Sequence, residues 1–124
     1  MREITTHHDG HGLAESLVIE ADELDPPGGM ASHSYKVTIG ADFPKEVATI
    51  QFQQGPRGEA YSKPGVIDNV LLAIIADRME CFNAGPYSCR ENALVLTHVQ
   101  EAMFWLRHRA DTRAKRGVLG KNVK

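Results

Sequence analysis

Val66-Ile67-Asp68-Asn69-Val70-Leu71-Leu72-Ala73-Ile74-Ile75-Ala76-Asp77-Arg78-Met79-Glu80-Cys81-Phe82 decides the fold, because its apolar residues recur at helical spacing over some five turns. The centre of this helix, Val70 to Ala76, is apolar on every side, whereas a helix lying on the surface of a monomer needs only a stripe about 100° wide. A second apolar face calls for a second partner, and in a chain of 124 residues a helix of another subunit is the economical one. Asn83-Ala84-Gly85-Pro86 closes the helix, with Asn or Gly suited to a left-handed cap and Pro unable to continue. Ser88-Cys89-Arg90-Glu91 then reads as a capping box in which Ser88 accepts from a first-turn amide and Glu91 reaches back. Leu94, Val95, Val99, Ala102, Met103 and Leu106 carry a second, long helix that ends before Gly117. A connection of about five residues forces the two helices antiparallel. The tail from Gly120 to Lys124 has no internal reason to be ordered.

Upstream, the period changes from three and four to two. Ser34-Tyr35-Lys36-Val37-Thr38-Ile39 alternates polar and apolar residues and is rich in β-branched types, the pattern of a half-buried strand. Val47 to Gln53 repeats it, with Val47, Thr49, Gln51 and Gln53 on one face and Ala48, Ile50 and Phe52 on the other. A hairpin through Gly40 to Glu46 joins the two, and Leu17 to Glu20 supplies a third strand. Pro26-Pro27-Gly28-Gly29 marks a turn, while Gln54-Gly55-Pro56-Arg57-Gly58 and Lys63-Pro64-Gly65 punctuate the passage into the helices. The expected class is α+β: a small N-terminal antiparallel β portion with an acidic leading segment over 1–63, then a two-helix hairpin over 64–124 that oligomerises.

Composition narrows the function classes. The net charge is only −2, yet residues 1–84 hold six Lys/Arg against 13 Asp/Glu, and residues 85–124 hold eight against three. The first 30 residues are acidic, and no apolar run approaches the ~20 residues that span a bilayer. A cytoplasmic protein without a membrane partner is expected. Cys81 and Cys89 are too few for a disulfide framework and read as buried structural thiols.

Most candidate chemistry has a plainer alternative. His7-His8-Asp9-Gly10-His11 offers imidazoles for a metal but lacks ligand spacing, and reads as a flexible polar segment. His98 and His108 lie ten apart, about 15 Å along a helix, and cannot ligate one ion together. Ser88 and Cys89 have no local base, unless the fold brings His33 near. The glycine-rich turns match neither phosphate-loop nor dinucleotide-fold spacing. Neither a metal nor a cofactor is expected.

The basic C-terminal stretch says more. Arg107, Arg109, Arg113, Lys115, Arg116, Lys121 and Lys124 exceed what a helix dipole asks of its last turn. Arg109 and Arg113, four apart, can project from one face and clamp a diphosphate or a cyclic phosphodiester. Arg90 and Asn92 occupy the first turn of the same helix, where free amides also favour anions. In a head-to-tail arrangement one chain's Asn92 end can meet another's Arg109 end, with Phe82 beside it able to stack on a base or simply to fill the core.

Four segments carry a resemblance: Val70 to Arg78, Gly85-Pro86-Tyr87-Ser88-Cys89-Arg90-Glu91-Asn92-Ala93-Leu94, Glu101-Ala102-Met103-Phe104-Trp105-Leu106, and Arg116-Gly117-Val118-Leu119-Gly120. Over about residues 64–124 they resemble the hairpin domain shared by the Thoeris anti-defence protein 1 family and the smaller anti-CBASS protein 2 family of phages. The N-terminal β portion, Gly29 to Gly58, is similar to that of the Thoeris group alone. The resemblance implies a non-enzymatic sponge, a hexamer that sequesters immune nucleotide messengers in the cytoplasm of the infected host without cleaving them. Glycocyclic ADP-ribose is the main ligand so implied, held by Phe82, Asn92, Arg109 and Arg113 from more than one subunit. Cyclic di- or trinucleotides are implied at separate sites, where Arg57 and Arg116 carry over. Leu119 and Lys121-Asn122-Val123 depart from the family's ending. The competing readings are a nucleotide-degrading enzyme and a nucleic-acid-binding module using the basic helix. The acidic N-terminal segment speaks against a long polyanion as partner.

Overall fold

The computed structural model describes residues 1–40, 44–56 and 58–121. It divides into two compact units whose boundary in the sequence falls between Val66 and Ile67.

The first unit is a four-stranded antiparallel meander, β1 (Arg2–Ile4), β2 (Leu17–Ala21), β3 (Ser34–Ile39) and β4 (Lys45–Gln51), in the order β1-β2-β3-β4. β2 and β3 lie where the alternation puts them; β1 was not expected, and its three residues are too few to show a period. β4 starts and stops two residues early. Val37 faces Ala48 but Thr38 faces Glu46, so Val47 is the extra residue of a β-bulge, and the alternation expected from Val47 onward is broken there. The strand stops at Gln51 because Phe52 and Gln54 take other partners: Phe52 bridges Val66 in parallel, and Gln54 bridges Lys63. The apex at 41–43 lies outside the described residues.

The leading segment is built rather than loose. Asp22 Oδ1 accepts from the His33 amide (2.9 Å), and the His33 ring donates from Nε2 to Asp25 Oδ2 (3.0 Å). Ser32 Oγ donates to the Asp22 carbonyl (2.8 Å) and accepts from the Arg2 guanidinium (3.0 Å). His33 is only 8% exposed, so this polar network satisfies groups that burial would otherwise penalise. It ties the Asp25–Ala31 turn, which contains the Pro-Pro-Gly-Gly reversal, to the start of β3.

The histidine-rich loop is ordered too, contrary to the expected flexible segment. A single 3₁₀ turn at Ala14–Ser16 places the Glu15 carboxylate under the amides of Asp9, Gly10 and Gly12. The His7 ring donates to the Leu17 carbonyl at 2.7 Å. Among the described residues no group of three or more His, Cys, Asp or Glu is placed to hold a metal.

The second unit is α1 (Asp68–Ala84) and α2 (Arg90–Lys115), packed on each other as a hairpin. Beside the half-buried Leu71, Phe82 and Ala102, the residues turned away from solvent are Asn69, Leu72, Ala76, Met79 and Asn83 on α1, and Asn92, Leu96, Val99, Met103, Leu106, Ala110 and Arg113 on α2. Their spacing alternates three and four, the signature of a coiled-coil seam. α1 starts at Asp68, two residues later than its periodicity suggests, because Val66 is engaged with Gln51 and Gln53. Gly85 is extended (φ −113°, ψ −165°) rather than left-handed, since the following Pro86 disfavours helical conformations before it. At the other end Gly117 is left-handed (φ 73°), with Val118 N bonded to Arg113 O and Gly117 N to Ala114 O, a complete Schellman motif.

The seam leaves the opposite faces bare. Val70, Ile74 (55% exposed), Leu94, Phe104 and Trp105 (57%) all face solvent in the single chain. Among the described residues no helix is long and apolar enough to cross a membrane.

Two predictions test this description. A Cβ on Gly65 would run into the Gln51 carbonyl oxygen and the Phe52 carbonyl carbon. Gly65→Ala should therefore cost about 1–3 kcal/mol and lower the melting temperature by roughly 5 °C or more; an unchanged melt would contradict this packing. The amides around Glu15, that of Gly10 foremost, hold its carboxyl down at about 2. Because the folded value is depressed, the contribution to loop order is full above the ordinary carboxylate range and is lost as pH falls toward 2. The Gly10 and Gly12 amide resonances should titrate with a midpoint near that value in acid, and Glu15→Gln should abolish the transition.

Candidate functional site

The candidate residues of the hairpin gather at two ends of α2. At the closed end, five residues turn the chain from Ala84 to Arg90. Cys89, not Ser88, is the N-cap: it has extended backbone angles, and its Sγ accepts from the Asn92 amide at 3.4 Å. Ser88 lies one residue too early, and Glu91 sits at the second helical position rather than the third, so the capping box does not form. The Asn92 side chain donates from Nδ2 to the Tyr87 carbonyl at 3.0 Å. Tyr87 stands edge-on to Phe82, with ring centroids 6.5 Å apart and planes at 76°. Phe82 is half-buried, and the Arg78 guanidinium lies 5.2 Å from its centroid. Phe82 and Asn92 are thus brought to one end of the hairpin through Tyr87.

Both cysteines are exposed, which corrects the expectation of buried thiols. Cys81 lies on the outer side of α1, and Cys89 is drawn to the surface by its capping position. His33 belongs to the β unit, where its Nε2 is bonded to Asp25.

The other end of α2 departs from the expected clamp. Arg109 is exposed, but Arg113 is only 7% exposed and donates from Nη2 to the carbonyls of Val118 (3.0 Å) and Lys121 (2.7 Å). The reversal at Gly117 folds residues 117–121 back over the last helical turn, and Arg113 binds the oxygens that turn delivers. The exposed companion of Arg109 is Arg116, seven residues and nearly two full turns later. Trp105, Arg109, Thr112 and Arg116 share this outer stripe by their spacing. Arg57, the other arginine assigned to a cyclic oligonucleotide, lies outside the described residues, as do Asn122, Val123 and Lys124.

The separation of the two ends decides what one chain can do. Arg109 follows Asn92 by seventeen residues of continuous helix, which is about 25 Å at 1.5 Å per residue. A mononucleotide-sized ligand cannot touch both within one chain.

Sequence reasoning missed Arg78, Tyr87 and the buried, unpartnered Oδ1 atoms of Asn69 and Asn83 in the seam. Only Arg78 left a signal, its spacing of four from Phe82.

A β-meander followed by a heptad-seamed helical hairpin, with an aromatic closed end and a cationic open end, defines a hairpin-domain protein of α+β class. Residues 44–110 match the family described as the Acb2/Tad1 hairpin domain, a span that takes in β4 and ends just before Arg113 and Arg116. The chain is also 38% identical over 96 residues to Thoeris anti-defense 1 of Bacillus phage SBSphiJ7, an alignment covering 77% of this chain and 66% of that protein. The chain belongs to the Thoeris anti-defence 1 family, whose hairpin domain that description names.

The grip of Arg113 on the tail gives a local prediction. Arg113→Ala should release residues 117–121, seen as at least several-fold faster tryptic cleavage after Arg116 and Lys121, while the helical signal of the hairpin stays. Equal cleavage rates in the two proteins would show that the tail is held by other groups.

Proposed function

We propose that the protein is a counter-defence sponge that binds cyclic nucleotide messengers of bacterial immunity and holds them intact. The main ligand is glycocyclic ADP-ribose, bound by Phe82 and Asn92 of one subunit and Arg109 of another, where Arg113 contributes by holding the tail of residues 117–121 against the site. Cyclic di- or trinucleotides occupy separate sites, for which Arg57 and Arg116 are the candidates. The working form is a homo-oligomer, a hexamer, in the cytoplasm of the infected cell, and it needs no metal, cofactor or catalytic group.

One observation carries this reading: the anion-binding and base-stacking candidates lie at opposite ends of a rigid helix, about 25 Å apart. Only a second copy, running head to tail, brings them to one ligand. The exposed apolar residues of the hairpin, Ile74, Phe104 and Trp105 among them, support such an assembly. The family relationship supports the biological role, since the similar phage protein is named for defeating Thoeris. Sequestration without turnover consumes one site per messenger, so nanomolar affinity is required, about −12 kcal/mol. Arginine–phosphate bonds and base stacking within a desolvated interface are the interactions that reach it.

The test is recovery. Purified protein mixed with glycocyclic ADP-ribose should clear it from the filtrate, and heating should return it unchanged. Linear ADP-ribose in the heated fraction would indicate an enzyme, and retention of duplex DNA but not of the messenger would indicate a nucleic-acid-binding module. Arg109→Ala should weaken messenger binding roughly tenfold to a hundredfold with the oligomer intact by light scattering. Undiminished binding in that variant would remove Arg109 from the site.

A further inference from the structure

Phe82 is held on two sides. From α1, the Arg78 guanidinium lies 5.2 Å from the ring centroid, within cation–π range. From the connecting turn, Tyr87 meets the same ring at 76°. Arg78 is one helical turn before Phe82, the spacing at which side chains on a helix meet, whereas its neighbours Asp77 and Glu80, one and two residues away, cannot face it. Among the described residues no carboxylate lies within ion-pair distance of Arg78. What the guanidinium does meet is the Phe82 ring.

A half-exposed phenylalanine near the end of a helix would otherwise sample several rotamers and lose that freedom on stacking with a base. A cation on the ring and an aromatic edge against it remove that freedom in advance. We propose that Arg78 is a positioning residue of the messenger site: it fixes the Phe82 ring in the orientation that stacks on the base and makes no contact with the ligand. This inference rests on the reading of Phe82 as a ligand-binding residue.

The experiment combines calorimetry on glycocyclic ADP-ribose with NMR of ring-labelled phenylalanine in the free protein, for Arg78→Ala, Arg78→Lys, Phe82→Leu and the double variant Arg78→Ala/Phe82→Leu. Leucine keeps the apolar bulk and removes the π-face, so the hairpin stays folded. Arg78→Ala is expected to shift the Phe82 ring resonances and to weaken binding about two- to fivefold, with stoichiometry and melting temperature unchanged. Arg78→Lys should restore most of the affinity. In the Phe82→Leu background, which itself binds more weakly, Arg78→Ala should add nothing. A further loss of the same size there would mean that Arg78 touches the ligand directly and would overturn the proposal, as would Phe82 resonances that do not move. If Phe82→Leu binds as tightly as the parent, the assignment of Phe82 to the messenger site fails, and the proposal fails with it.

Discussion

A two-helix hairpin has one inner seam and two outer faces, and that imbalance governs how this chain distributes its apolar and cationic side chains. The three-four alternation from Asn92 to Leu106 and from Asn69 to Asn83 aligns the helices, but in the single chain only Ala76 and Arg113 of the two helices are buried. A seam so narrow removes little apolar area from water compared with a globular core of this length. The surface left over carries both the apolar residues that a partner can cover and the cations that a ligand can meet. Apolar residues and cations therefore share the same outer faces.

The β unit solves the small-core problem differently. Its most buried side chains include Ser32 and His33, and around them the acids Asp22 and Asp25 act as acceptors rather than as free surface charge. Glu15 does the same for the backbone amides of its own loop. Part of the negative balance of the first 84 residues is thus structural. These carboxylates keep their charge, and the amides and imidazole around them satisfy their oxygens inside the unit.

The helices and the central strands were legible from their period and residue types: Ser34–Ile39 and the apolar run through Ala76 sit where their patterns say. Legibility fell where one local rule met a stronger one. Gly85 would take a left-handed cap on its own, but Pro86 forbids it; Ser88 is a better cap than Cys89 in isolation, yet the helix starts one residue later. β1 is stabilised by pairing with β2, which a three-residue segment cannot announce. At the candidate site, positions along the helix could be read and side-chain engagements could not. The spacing of Arg109 and Arg113 is real, but only the fold-back at Gly117 tells that Arg113 is occupied by tail carbonyls. The spacing of Arg78 from Phe82 is legible in the sequence, but that the guanidinium lies against the ring is not.

The unequal lengths of the helices have a mechanical consequence. α2 has 26 residues against 17 in α1, so it outruns its partner by about 13 Å and carries its arginines on a cantilever. The closed end, with Phe82 and Asn92, fixes where the lever is clamped; the number of turns beyond the clamp fixes its reach. Lengthening α2 alone by one heptad would advance the cationic tip by about 10 Å on the same helical face without touching the seam at the clamp. Reach and grip are therefore separately adjustable: the length of α2 sets how far its cations stand from the turn, and the seam sets how firmly the two helices hold each other.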